Sequence, residues 1–305
     1  MKICVIFNPS ARGDKATRFR ERLVSWAAQC TLKPTLSAGA GRALGAEAVR
    51  EGYDVIVAAG GDGTVNEVIN GIGDEPGGLA RVRFGVLPLG TVNVFAKEVG
   101  MPSDLARSWA IILKAEHTTV DLLYAEFTVA GHPMRRSFVQ MAGAGLDSRA
   151  VEMVSWEQKK RWGRLSYVLA FLKALRGERT RIGVANGQRT LTGELVLIGN
   201  GRFYGGKFPL FPKADLSDGL LEVSVFPRIN AESILRSGWG LLTDQLYTTG
   251  GVQHFQTDSV SLFSSSPAPF HLEGENVGQL PVKFGVQRQA LKVIVPSPAR
   301  DRARS

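Results

Sequence analysis

Three stretches of the chain are apolar almost throughout, residues 2–8, 54–59 and 83–87, and between them the apolar positions recur at helical spacing. A strand with no polar side is buried on both faces, as in parallel sheets flanked by helices. The intervening pattern predicts helices over residues 16–29, 43–51, 65–72 and 105–114, the first with Phe19, Leu23, Trp26 and Ala27 on one face. The first third thus reads as an α/β domain with a mostly parallel sheet.

Near Asp121 the pattern changes. Extended segments dominate, at residues 122–129, 136–141, 191–198, 220–226, 259–263, 282–286 and 291–295, many of them separated by Gly, Pro, Asp or Ser. Helical spacing returns only at residues 165–175 and 231–242. This predicts an α/β domain over residues 1–122, a β-rich domain over 123–295 and a basic tail over 296–305. No internal repeat or low-complexity tract interrupts the chain.

Length agrees, since 305 residues make about two domains. With 44% apolar and 21% charged residues, the chain is neither disordered nor fibrous. Two cysteines, Cys4 and Cys30, exclude a disulfide framework and suit a reducing compartment. No apolar run is long enough to span a bilayer, and the start is too short for a signal peptide, so a cytoplasmic protein is expected. The net charge of +9 points to an anionic partner: a nucleotide, nucleic acid or an anionic membrane face. Lys159, Lys160, Arg161, Arg164, Lys173, Arg176, Arg179 and Arg181 are concentrated in one stretch, which a solvated helix face explains equally well.

The strongest chemical signal is Gly60-Gly61-Asp62-Gly63-Thr64-Val65-Asn66-Glu67, directly after a buried strand and opening a helix. Its glycines permit a sharp turn and close approach of a ligand, and free N–H groups at the helix start favour phosphate. Asp62 would repel a bare phosphate. It fits if Mg²⁺ stands between them or if it accepts a proton from an incoming hydroxyl. The plainer reading is a tight strand-to-helix turn with an Asp cap. Leu87-Pro88-Leu89-Gly90-Thr91-Val92-Asn93-Val94-Phe95-Ala96 repeats the arrangement, and Asn8-Pro9-Ser10 follows the first strand. In an open parallel sheet such loops share one crevice at the strands' carboxyl ends.

In order and spacing these motifs resemble the soluble lipid kinases of the diacylglycerol kinase catalytic-domain family, bacterial diacylglycerol kinases and sphingosine kinases among them. Gly143-Ala144-Gly145-Leu146-Asp147, Asn200-Gly201-Arg202-Phe203-Tyr204-Gly205-Gly206, Pro212 to Leu220 and Glu273-Gly274-Glu275 extend the likeness over nearly the whole chain. The resemblance implies a phosphofructokinase- and NAD kinase-like N-terminal domain and a β-sandwich C-terminal domain. It also implies transfer of the γ-phosphoryl of ATP to a lipid hydroxyl, with Mg²⁺, by an enzyme held peripherally on an anionic membrane surface. By the same resemblance Gly61, Gly63 and Thr64 hold phosphates, and Gly90, Thr91 and Asn93 shape the nucleotide site. Asn8, Pro9, Gly60, Asn66 and Glu67 belong to the same motifs. Asp62 would work with catalytic Mg²⁺ and Glu275 as the base toward the lipid hydroxyl, although the sequence leaves open which of the two takes the proton. Asp147 would orient the lipid head group or simply cap a helix. Asp215, Asp218 and the Leu220 carbonyl would hold a structural divalent ion, where two Asp in a turn otherwise cap backbone amides.

The stripe Leu165, Val168, Leu169, Leu172 and Leu175 fits a membrane-facing amphipathic helix as well as a core-packed one. Three positions depart from the family pattern: Val94 and Glu273 where Asp is usual, and Arg12 near the first loop. The competing readings are a NAD kinase-like enzyme and a lipid- or membrane-binding regulator without turnover. Nucleic acid is not an expected partner, because no recognition module accompanies the charge. The sequence is silent on oligomeric state.

Overall fold

The computed structural model describes residues 1–9, 14–37, 39–146, 180–187, 189–204, 206, 208–243, 245–249 and 251–297. Asp147, the stretch 165–175, Gly205, Arg12, most of the basic stretch and the tail arginines lie outside the described residues. The chain forms two compact units, Met1–Leu122 together with the segment from Arg288, and Leu123–Gln287.

In the first unit β1 (Ile3–Phe7), α1 (Asp14–Ala27), β2 (Thr31–Pro34), α2 (Ala40–Arg50), β3 (Val55–Gly60), α3 (Asp62–Asp74), α4 (Gly78–Arg81), β4 (Arg83–Pro88), α5 (Val94–Glu98), α6 (Leu105–Lys114) and the start of β5 (His117–Val129) follow in order. The strands β2-β1-β3-β4 pair in parallel, with nearly every residue of β1, β3 and β4 buried. On one face α1 and α6 pack together through Trp26 and Trp109, stacked at 4.7 Å, over Val5, Val57 and Leu87. Phe19 and Trp26 are buried as the helical spacing predicts, whereas Ala27, at the helix end, is exposed. Small residues bring α2 and α3 close: a methyl at Gly45 would lie 2.7 Å from the Val68 carbonyl oxygen, and one at Gly71 would overlap the Arg42 carbonyl. Cys4 and Cys30 are free thiols, and burial pushes Cys4 up to about 12 and Cys30 to about 11, so neither is a ready nucleophile.

The second unit continues through β6 (His132–Phe138), β7 (Met141–Gly145), β8 (Ile182–Ala185), β9 (Thr190–Gly193), β10 (Leu195–Gly199), β11 (Phe203–Tyr204), β12 (Phe208–Pro209), β13 (Leu221–Phe226), α7 (Ala231–Leu242), α8 (Leu246–Thr249), β14 (Gln253–Thr257), β15 (Ser259–Phe263), β16 (Pro269–Leu272), β17 (Glu275–Gln279) and β18 (Val282–Ile294). It is a β-sandwich. One antiparallel sheet runs β14-β13-β10-β7-β16-β17, and its inner face meets β5, β6, β8, β15 and the first part of β18. Phe270 is central to the core, edge-on to Phe127 at 5.0 Å and to Phe284 at 6.1 Å. The other face of the six-stranded sheet is covered by Leu210, Phe211, Ile229 and Leu246.

Two expected segments differ in the structure. Residues 136–141 straddle the end of β6 and the start of β7, because the backbone N–H groups of Val139 and Gln140 donate to the Glu273 carboxylate. The segments read at 282–286 and 291–295 are one strand, β18, interrupted by Gln289 at φ 46°, whose N–H donates to the buried Asp121 carboxylate at 2.6 Å. The polar residues Gln287-Arg288-Gln289 that separate the two segments form only a local kink. Beyond it, Lys292 and Val293 pair in parallel with β4, making β18 the fifth strand of the first unit's sheet. The sequence reading ends the second domain at 295, whereas the residues from Arg288 onward belong to the first unit.

Candidate functional site

The site begins where β3 meets α3. Gly61 is the extended residue before the helix and provides no side-chain cap, and the first backbone bond runs from Val65 N–H to the Gly61 carbonyl at 3.1 Å. The N–H groups of Asp62, Gly63 and Thr64 therefore have no acceptor within the helix. A helix start of this kind presents donors and a partial positive charge to an anion. A methyl at Gly60 would lie 2.6 Å from Thr64 Cβ, so the loop closes against its own helix only with glycine there.

The second loop is fastened to the first. The Gly60 carbonyl accepts from Leu89 N–H at 3.0 Å and Gly90 N–H at 3.2 Å. A methyl on Gly90 would stand 2.6 Å from Gly61 Cα, so the two loops lie backbone against backbone. Asn93, in the left-handed region at φ 53°, locks the turn: its Oδ1 accepts from Gly90 N–H at 2.9 Å and its Nδ2 donates to the Gly90 carbonyl at 2.6 Å. Asn tolerates this conformation better than most residues. From the first strand, Asn8 N–H donates to the Ala59 carbonyl at 3.2 Å, which brings Asn8 and Pro9 to the same strand ends.

Asp62 joins the loops with its side chain. Its Oδ1 accepts from Phe95 N–H at 3.3 Å, at the start of α5. Burial pushes this carboxyl above the ordinary carboxylate value, against the backbone donors of residues 93–95 and the charge of Lys97, which pull it down. A partly desolvated carboxylate beside a row of phosphate-seeking donors fits a divalent cation chemically, because the cation would offset the burial. Lys97 escaped sequence reading. Its signal was its spacing, one helical turn beyond Asn93.

Other candidates have structural partners. Both oxygens of Glu67 accept from backbone N–H groups, Gly39 and Gly41, each at 2.9 Å, so Glu67 fastens the start of α2. Asn66 is buried and accepts from Asn70 at 3.1 Å. Thr91 is exposed and Thr64 half-buried. Val94 is buried at the start of α5, so the position that departs from the family's Asp serves packing.

In the second unit, Glu273-Gly274 forms the two-residue turn between β16 and β17, with φ 53° and 78°. Both left-handed positions match the hairpin turn that favours Asn-Gly or Asp-Gly. The Glu273 carboxylate takes N–H bonds from Val139 at 2.8 Å and Gln140 at 2.7 Å, which holds the turn in place. Glu275 opens β17 with its side chain half-exposed, 3.9 Å from the Arg136 guanidinium. Asp215 accepts from Ser217 N–H at 2.9 Å and its hydroxyl at 2.8 Å, and Asp218 from Leu220 N–H at 2.9 Å. Each Asp thus shapes the loop with one oxygen. Two carboxylates and a carbonyl within six residues form a hard-oxygen set suited to a Mg²⁺- or Ca²⁺-type ion. Gln256 connects this loop to the sheet, 3.4 Å from Asp218 and 2.9 Å from Glu222, which also pairs with His254 at 2.9 Å.

Among the described residues, no helix is long and apolar enough to cross a membrane. Residues 2–125 match the diacylglycerol kinase catalytic domain, and residues 140–295 match the YegS C-terminal NAD kinase beta sandwich-like domain. A diacylglycerol kinase of Bacillus subtilis is 28% identical over 86% of this chain and 84% of its own. A YegS-like lipid kinase of Pseudomonas putida is 30% identical over 87% and 85%. A solved diacylglycerol kinase structure from Bacillus anthracis superposes with a TM-score of 0.74 at 23% identity, covering 97% of each chain.

Proposed function

Since this chain belongs to the diacylglycerol kinase catalytic-domain family of phosphotransferases, we propose that it transfers the γ-phosphoryl of ATP to the hydroxyl of a diacylglycerol or sphingoid-type lipid at an anionic membrane surface. The observation that carries this reading is the fastened pair of glycine loops, with the free N–H groups of Asp62, Gly63 and Thr64 beside the Asp62 carboxylate. Gly61, Gly63 and Thr64 hold the phosphates through backbone donors that need no reorganisation during transfer. Gly90, Thr91 and Asn93 shape the nucleotide site, and Asn8, Pro9 and Gly60 belong to the same strand-end loops. Asn66 bonds to Asn70 within α3, and Glu67 ties the helix behind the loop to the start of α2.

A lipid alcohol is a weak nucleophile at neutral pH, so a carboxylate that accepts its proton as the new P–O bond forms, and the bond from the γ-phosphorus to the β–γ bridging oxygen breaks to release ADP, speeds the reaction, typically by about 10²–10⁴-fold. Asp62 and Glu275 are the two carboxylates assigned to the chemistry. Asp62 would hold Mg²⁺, which when bound would neutralise charge on the phosphates. Asp147 is assigned to the lipid head group, and Asp215, Asp218 and the Leu220 carbonyl to a structural ion.

The test is labelled transfer from ATP, with Mg²⁺, to a panel of lipids in mixed micelles, comparing wild type, Asp62→Asn and Glu275→Gln. Product on one lipid class that disappears with Asp62→Asn is expected. Transfer that survives Asp62→Asn unchanged would sink the assignment, and transfer to NAD instead of a lipid would replace the substrate.

A further inference from the structure

The second unit holds a cavity that the phosphoryl-transfer reading does not use. It is a half-open cavity of about 310 Å³ beside β9, the end of β13 and α7. Two guanidinium groups line it, Arg181 just before β8 and Arg228 between β13 and α7, together with the hydroxyls of Thr192 and Ser237. The Ser233 hydroxyl also faces it but is engaged with the Asn230 backbone, donating to its carbonyl at 3.0 Å and accepting from its N–H at 2.8 Å. Phe226 contributes a buried apolar floor. Ser233 and Ser237 stand one helical turn apart and share a face of α7. Both arginines are exposed to solvent, and a ligand entering from water can reach them.

The charge balance selects the ligand. Among the described residues, no carboxylate lines the cavity and neither guanidinium forms a salt bridge. Glu232 is occupied by Arg236 one turn along α7, and Glu194 by the N–H of Ile229 at 2.8 Å. Ser233 lies in the first turn of α7, where the helix end is partially positive, although Asn230 already accepts one N–H there. Two arginines with neighbouring hydroxyls favour an oxyanion, and the planar fork of guanidinium matches phosphate in particular. The volume lies at the lower end of small-molecule sites, enough for a head group.

We propose that this cavity is a second anion site, binding a phosphomonoester group away from the glycine loops. The group comes either from a phospholipid head group or from a soluble phosphate. The site does not depend on the catalytic assignment.

The experiment uses the full chain with its nucleotide site saturated by a non-hydrolysable ATP analogue. Inorganic phosphate is titrated calorimetrically. In parallel, the protein is co-sedimented with phosphatidylcholine vesicles with and without phosphatidic acid. Two variants are compared, the double replacement Arg181→Ala with Arg228→Ala, and Ser237→Asp, which puts a carboxylate into the cavity while keeping both arginines. Thermal melting checks that each variant is folded. The expected result is that wild type binds one probe and both variants bind it roughly tenfold or more weakly. A saturable phosphate isotherm identifies a soluble ligand; vesicle binding alone identifies a head group. The site is refuted if wild type binds neither probe, or if the double variant binds as wild type does. It is also refuted if Ser237→Asp retains full binding while the double variant loses it, because the arginines would then act as open surface charge.

Discussion

At Asp62 the chemistry proposed above and the stability of the fold make opposing demands. Its folded pKa is raised, so the ionised form is disfavoured in the native state relative to the unfolded chain. The penalty is absent below the unfolded pKa and is fully felt once pH has risen through the folded one. Asp62→Asn keeps an oxygen to accept from Phe95 N–H and removes the charge. It is expected to melt above wild type at pH 7, with the gain fading as pH falls through the carboxyl's folded pKa, while phosphoryl transfer falls by about 10²-fold or more. Parallel melting curves from neutral to acid pH, paired with the kinase assay, check both halves. A variant that loses stability at neutral pH would mean that the charge is compensated in the native state. The glycine loop and its Asp were legible from sequence. The acceptor role toward Phe95 was not, since it joins residues 33 positions apart.

At the scale of elements, the α2–α3 contact makes Glu67 and Gly71 testable. Glu67→Ala leaves two N–H groups at the start of α2 without their charged acceptor, at a cost of about 1–3 kcal/mol. Urea unfolding should show that loss, and Glu67→Gln should recover part of it. If nucleotide affinity fell while stability held, Glu67 would belong to binding rather than to scaffolding. Gly71→Ala forces a methyl toward the Arg42 carbonyl, a backbone atom that cannot turn aside. Overpacking of that kind costs about 1–3 kcal/mol, read as a lower urea midpoint. Sequence periodicity located both helices, yet it could not show how close they approach. The same holds for β6 and β7, whose boundary is set by Glu273 reaching Val139 and Gln140 from more than a hundred residues away.

At the scale of the molecule, the chain returns to its first unit through β18. Leu291, Val293 and Ile294 are each nearly inaccessible there, and their strand covers the edge of β4. A fragment of residues 1–122 alone would expose that edge and lose those side chains, so it is expected to aggregate or to give no cooperative melt. The full chain should melt cooperatively, and circular dichroism of both distinguishes the outcomes. The Asp215–Leu220 loop gives a second prediction. An ion bound only by the folded state raises the melting temperature with its concentration. Mg²⁺ or Ca²⁺ should raise that of wild type with ATP absent, and Asp215→Ala with Asp218→Ala should abolish the rise. A rise unchanged in the double variant would place the ion elsewhere.

The sequence by itself determined the parallel α/β sheet, the strand-rich second half and the two glycine loops at the ends of β3 and β4. Those features are local or periodic: an apolar run, a 3.6-residue repeat, or a glycine where the backbone must turn. Tertiary structure alone decided that Gly61 and Gly90 lie backbone against backbone, that Glu67 fastens α2, that residues 282–294 form one strand, and that Arg181 and Arg228 share a cavity. Each of these depends on where distant backbone atoms come to rest. Hydrophobic patterning selects which face of an element is buried, but it leaves open which N–H group a given carboxylate will meet.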